Sequence, residues 1–134
     1  GEFRADNALF SGLALAGGWL TTLEIFNLRL QTDLVTLSAC QTGRSVVGGG
    51  DELFGLMRAF LAAGTASLAA TFWTVEDRST ARLMQRFYER LAQGESRGAA
   101  LRQAQLQFLG EEENPAYKHP YFWAPFFLVG DPGR

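Results

Sequence analysis

Short, nearly continuous apolar runs, each ending in a loop and followed by an amphipathic stretch, leave this chain few folds to choose from. The first, Leu34-Val35-Thr36-Leu37-Ser38, leads into Ala39-Cys40-Gln41-Thr42-Gly43, as a strand buried on both faces leads into a loop. After Gly48-Gly49-Gly50, Asp51 can cap a helix on which Leu53, Leu56, Met57, Phe60 and Leu61 form one stripe, ended by Gly64. A second run, Ala66 to Trp73, is followed by Thr74-Val75-Glu76-Asp77 and a helix from Arg78 with Thr80, Met84, Phe87, Tyr88 and Leu91 inward. Ser96 caps a further helix to about Leu109 with Leu101, Ala104 and Phe108 inward, and Glu111 to Pro115 form a polar break. Phe126 to Val129, closed by Gly130 and Asp131, reads as a last buried strand. Nearer the N-terminus, Ser11 to Leu15 suits a strand and Thr21 to Phe26 a short helix capped by Thr21.

Strands alternating with helices predict an α/β domain with a mainly parallel sheet and helices on both faces. Ligands in such sheets bind outside the carboxyl ends of the strands. Cys40 and the Trp73 to Asp77 turn share that edge if their strands run parallel. With 134 residues, 47% hydrophobic and 13% aromatic, the chain suits one domain over residues 1–134 with a substantial core. Twelve basic and 14 acidic residues, net charge -2, form no block that would suit nucleic acid or a membrane surface. No apolar stretch is long enough to span a bilayer, and no signal pattern opens the chain, so the expectation is a cytoplasmic protein. One cysteine and one histidine supply neither an internal disulfide nor a structural zinc site. No metal or other cofactor is expected.

Taken alone, a lone cysteine is better read as a small buried apolar residue than as a nucleophile. Its surroundings reverse that reading. Leu37-Ser38-Ala39-Cys40-Gln41-Thr42-Gly43, then Gly50-Asp51-Glu52-Leu53 with Leu56 and Ala59-Phe60-Leu61, resembles the nucleophile motif and following helix of the CHAT family. The resemblance continues through Phe72-Trp73-Thr74-Val75-Glu76-Asp77, Phe87-Tyr88, Ala100-Leu101-Arg102-Gln103-Ala104-Gln105 and His119-Pro120-Tyr121-Phe122-Trp123-Ala124-Pro125-Phe126 to Leu128-Val129-Gly130-Asp131. These are caspase-like, separase-like cysteine peptidases often found beside tetratricopeptide repeats. The resemblance implies a caspase-like three-layer sandwich, a protein or peptide substrate and a repeat region in the parent chain.

It also implies a Cys-His dyad, with a His-Gly pair ending one strand and the nucleophile, here Cys40, ending the next. Gly1-Glu2-Phe3 and Asn7-Ala8-Leu9-Phe10-Ser11-Gly12-Leu13 resemble the residues after the family's histidine, so Gly1 stands just beyond a histidine this sequence does not include. The alternative for Glu2-Phe3 is a cloning remnant. The backbone amides of Cys40 and of the residue at Gly1 would form the oxyanion hole. Without the base, the chain by itself is expected to be nearly inert. Removal of the preceding strand would leave a sheet edge inviting dimers or aggregation.

Asp77 has two readings. The turn resembles one in separase whose aspartate receives a basic side chain before the cut, and an N-cap role explains an aspartate equally well. Asp51 reads as a cap and Glu52 as a first-turn dipole partner. His119 reads as a loop anchor rather than a substitute base. Trp73, Trp123, Phe122 and Phe126 read first as core and second as a peptide platform. Two other functions compete with peptide hydrolysis: a non-catalytic protease-like scaffold, and a flavodoxin-like small-ligand module using Gly48 to Asp51.

Overall fold

A computed structural model describes residues 12–37 and 51–133. A hairpin of β1 (Gly12–Leu15) and β2 (Gly18–Thr21) is followed by α1 (Thr22–Phe26), β3 (Thr32–Thr36), α2 (Asp51–Ala62) and β4 (Thr65–Thr71). Then come α3 (Asp77–Ala92), α4 (Arg97–Leu109), two 3-10 turns at Pro115–Lys118 and Pro120–Phe122, and β5 (Phe126–Gly130). The sheet order is β3-β4-β5, with β3 and β4 parallel and β4 and β5 antiparallel. The fold is α/β, and its sheet is mixed because the chain re-enters β5 from the far end of α4.

Alternation along the strands sorts the two faces, because successive side chains point to opposite sides of a sheet. Leu34, Phe126 and Leu128 pack with Leu83 and Phe87 of α3 and Ala100, Leu101, Ala104 and Phe108 of α4. Val35, Leu68, Ala70, Phe127 and Val129 pack with Ile25 of α1 and Leu56, Met57, Ala59 and Phe60 of α2. This is a three-layer arrangement of helices, sheet and helices.

Local signals place several boundaries. Thr21 forms a full capping box: its hydroxyl accepts from the Glu24 N–H at 3.2 Å, and the Glu24 carboxylate accepts from the Thr21 N–H at 2.7 Å. The Thr21 N–H, and the Thr21 hydroxyl donating to the same carboxylate at 2.8 Å, hold the Glu24 carboxyl below its ordinary value. Ser96 caps α4 by accepting from the Ala99 N–H. Gly64 ends α2 at φ +105°, where an added Cβ would collide with the Leu30 carbonyl.

Other boundaries move. The ladder begins at Thr32↔Thr65, ahead of the apolar run, since backbone pairing does not require apolar side chains. Strand β4 stops at Thr71, leaving Phe72 and Trp73 exposed beyond it, so Trp73 is not a core residue. Strand β2, whose Gly18-Trp19-Leu20-Thr21 sequence lacks a long apolar run, was not anticipated. The buried line of α3 is Ser79, Leu83 and Phe87, with Tyr88 exposed. Packing of α4 beside α3 turns the helix toward Leu83, a displacement its own amphipathic stripe does not reveal.

The polar break also holds a buried charge. Glu111 is 4% exposed and takes hydrogen bonds from Arg82 at 3.2 Å and Arg86 at 2.7 Å, while Arg82 also reaches Glu113 at 2.8 Å. Burial pushes the Glu111 carboxyl up; the Arg86 hydrogen bond, the Arg82 charge and the Glu113 N–H outweigh it, leaving it below the ordinary value of 4.5. The charged form is therefore favoured in the folded chain. Its stabilisation is complete above the unfolded value and is lost as pH falls through the lower folded one.

Leu83→Ala is expected to lower unfolding free energy by about 2–5 kcal/mol, as for a fully buried leucine, and Thr80→Ala by less than about 1 kcal/mol, both read by urea denaturation. Glu111→Gln is expected to remove about 1–3 kcal/mol at pH 7. Below pH 4.5 its stability should fall less steeply with acidification than that of the parent sequence.

Candidate functional site

Parallel pairing brings the carboxyl ends of β3 and β4 to one edge. Thr36 pairs with Ala69, and the Leu37 N–H donates to the Ala69 carbonyl at 2.8 Å. Leu37 is therefore at this edge, three residues before Cys40 in sequence. Antiparallel β5 starts here too, with Phe126 opposite Thr71. The site edge thus gathers the end of β3, the turn after β4 and the segment before β5.

The turn at residues 72–76 is neither strand nor helix, and residues 117–125 brace it. The Phe72 N–H donates to the Pro125 carbonyl at 3.1 Å, and the Phe72 ring stacks on Phe127 with centroids 4.0 Å apart. The Trp73 indole N–H donates to the Tyr121 carbonyl at 3.1 Å, and the Tyr121 hydroxyl donates to the Thr74 carbonyl at 3.0 Å. Val75 is buried in the core, and the Tyr117 hydroxyl donates to the Glu76 carboxylate at 3.3 Å. Gln105 of α4 secures the brace, its amide donating to the Trp123 and Phe126 carbonyls at 3.0 and 2.9 Å.

This bracing changes the reading of Asp77. Glu76, not Asp77, occupies the cap position of α3, and its side chain makes no cap bond because Tyr117 engages it. The Glu76 carbonyl instead accepts from the Ser79 hydroxyl and the Thr80 N–H. Asp77 is the first helical residue, exposed, and its carboxylate has no partner among the described residues. It is not a cap. A carboxylate at a helix N-terminus is favoured by the dipole.

His119 acts as an anchor. It ends one 3-10 turn and starts the next, where its Nδ1 accepts from the Tyr121 N–H at 3.2 Å. Phe122 and Trp123 are half-buried beside the core and Phe126 is within it, but Phe122 and Trp123 belong to the turn segment and not to a strand. The bracing tyrosines 117 and 121 were missed from sequence. Hydroxyl-bearing aromatics within a Pro- and aromatic-rich segment were the available signal.

Cys40, Gly1 and Gly48 to Gly50 lie outside the described residues, as does the expected pairing of the preceding strand. Asp51 begins α2. Among the described residues, no three His, Cys, Asp or Glu side chains gather as a metal site would. None of the described helices is long and apolar enough to cross a membrane.

The CHAT domain family model matches residues 1–131. This chain belongs to the CHAT domain family. The CHAT domain is thereby a caspase-like, protease-related domain. It is similar to tetratricopeptide repeat protein 28 of Homo sapiens, 33% identical over 111 residues covering 83% of this chain and 4% of that protein. The Mus musculus protein of the same name is 34% identical over 111 residues, with the same coverage of 83% and 4%. The match thus spans 4% of the length of these relatives.

His119→Ala is expected to destabilise the CHAT domain by about 0.5–2 kcal/mol, the loss of a cap. His119→Asn should retain most of that stability, because its side-chain oxygen accepts the same N–H. Thermal melts of both variants test this.

Proposed function

We propose that this CHAT domain is the nucleophile-bearing part of a cysteine endopeptidase, with Cys40 as nucleophile and Asp77 as receptor for a basic side chain before the cut. The observation that carries the reading is the parallel β3-β4 ladder, which brings the end of β3 and Leu37, three residues before Cys40 in sequence, to the edge where Asp77 stands, its carboxylate without a partner among the described residues.

Each step has a chemical requirement. The Cys40 thiol must lose its proton to a base before Sγ attacks the peptide carbonyl carbon. His119 holds the Tyr121 N–H through Nδ1 and acts as a turn anchor; in this proposal the base is the histidine that the family resemblance puts just before the residue at Gly1. Backbone N–H groups of Cys40 and of the residue at Gly1 stabilise the oxyanion. The protonated base then donates to the leaving amine, forming a thioester, and water hydrolyses it to return the thiol. One water is consumed for each peptide bond cut.

The relatives are named for tetratricopeptide repeats, and in this proposal the domain works in a chain that also carries such repeats. Within the same proposal, the outer edge of β3 provides a route to self-association if it is unpaired in the parent protein.

The test is covalent labelling of the full-length protein with an arginyl peptide carrying a thiol-reactive electrophile, together with hydrolysis of the matching peptide. Labelling confined to Cys40 and abolished by Cys40→Ala is the expected result. Asp77→Asn should lower kcat/KM for arginyl peptides by roughly ten- to hundredfold, about the 1.5–3 kcal/mol of a hydrogen bond to a charged group. A folded protein whose Cys40 reacts no faster than a free thiol would replace this proposal with the scaffold.

A further inference from the structure

We infer that Tyr121 is a positioning residue for the turn that leads into Asp77, and hence for recognition of a basic side chain; this rests on the function proposed above. Between the end of β4 and the start of α3, the chain has no regular hydrogen-bond ladder to set its path. It is tied at its start by the Phe72–Pro125 bond and at its finish by the bonds to the Glu76 carbonyl. Between them, Tyr121 grips two successive residues, its carbonyl taking the Trp73 indole N–H and its hydroxyl reaching the Thr74 carbonyl. Three residues later comes Asp77.

Burial does not account for Tyr121. It is 45% exposed, and phenylalanine would offer the core as much apolar surface. What the hydroxyl adds is the bond to Thr74. The side chain is itself held in place: Pro120 precedes it in a 3-10 turn, His119 takes its N–H, and its ring stands edge-on to Phe122 at 5.2 Å and 88°. A grip built on a fixed block transmits a fixed position to the turn. Tyr117, which engages Glu76, is buried in the core, so its removal would mix packing with positioning. Tyr121 separates the two.

Position matters because a carboxylate binds a guanidinium through paired, directional hydrogen bonds, and misplacement by about 1 Å can cost up to roughly a hundredfold. The hydroxyl sits on an exposed bond whose loss changes overall stability little.

The experiment uses the full-length protein with Cys40→Ala to prevent turnover, and measures Kd by fluorescence anisotropy for a labelled arginyl peptide and its glutamine counterpart. Asp77→Asn should abolish the preference for arginine. Tyr121→Phe should reduce that preference about three- to tenfold, with glutamine-peptide affinity and melting temperature nearly unchanged. Trp73→Phe, which removes the other bond, should act in the same direction. If Asp77→Asn abolishes the preference and Tyr121→Phe leaves it intact, positioning is overturned and the carboxylate's role stands. If Tyr121→Phe weakens both peptides equally, its role is merely structural and the inference also fails. If Asp77→Asn keeps the preference, the recognition reading beneath the inference is what fails.

Discussion

The parallel pairing of β3 with β4 is the constraint on which the rest of the molecule depends. Parallel neighbours cannot be joined by a tight turn, so the chain must cross over, and α2 lies on that crossover. Both sheet faces are buried as a result, with α1 and α2 on one side and α3 and α4 on the other. The same pairing puts two carboxyl ends at one edge, where the chain is free of the ladder and its side chains can serve chemistry.

That freedom creates a mechanical problem, because a turn that has left a strand has no ladder to define it. Here the return of the chain into antiparallel β5 solves it. Residues 117–125 arrive at the edge as two short 3-10 turns, and their aromatic side chains and carbonyls take over the work that neighbouring strands do elsewhere. At the other side of α3, Arg82 and Arg86 converge on the buried Glu111. Helix α3 is thus fixed at its first turn by the aromatic segment and along its length by ion pairs, which holds Asp77 relative to the sheet.

Much of this was legible in the sequence. The capping residues Thr21 and Ser96 and the helix-ending Gly64 act over a few residues, so local chemistry reveals them. The inward residues of α4, Leu101, Ala104 and Phe108, were read correctly. The face of α3 was legible in part: Phe87 is buried and Met84 and Leu91 pack against the same core, but Leu83 is buried by a helix distant in sequence, while Tyr88 is exposed and bonds the Thr36 hydroxyl at 2.7 Å. Of the two readings of Asp77, the cap fails because α3 begins one residue earlier than expected, which gives the cap position to Glu76.

By itself, the sequence determined the order of β3, α2, β4, α3, α4 and β5, the caps at Thr21 and Ser96 and the family resemblance, because periodicity, capping and motif spacing are properties of adjacent residues. Tertiary structure alone decided which side of α3 is buried, that the last strand runs antiparallel, that Glu111 is an internal charge, and that Tyr121 grips the turn before Asp77. Each of these depends on contacts between segments tens of residues apart. Their energies come from packing and hydrogen bonds that exist only once the layers have assembled.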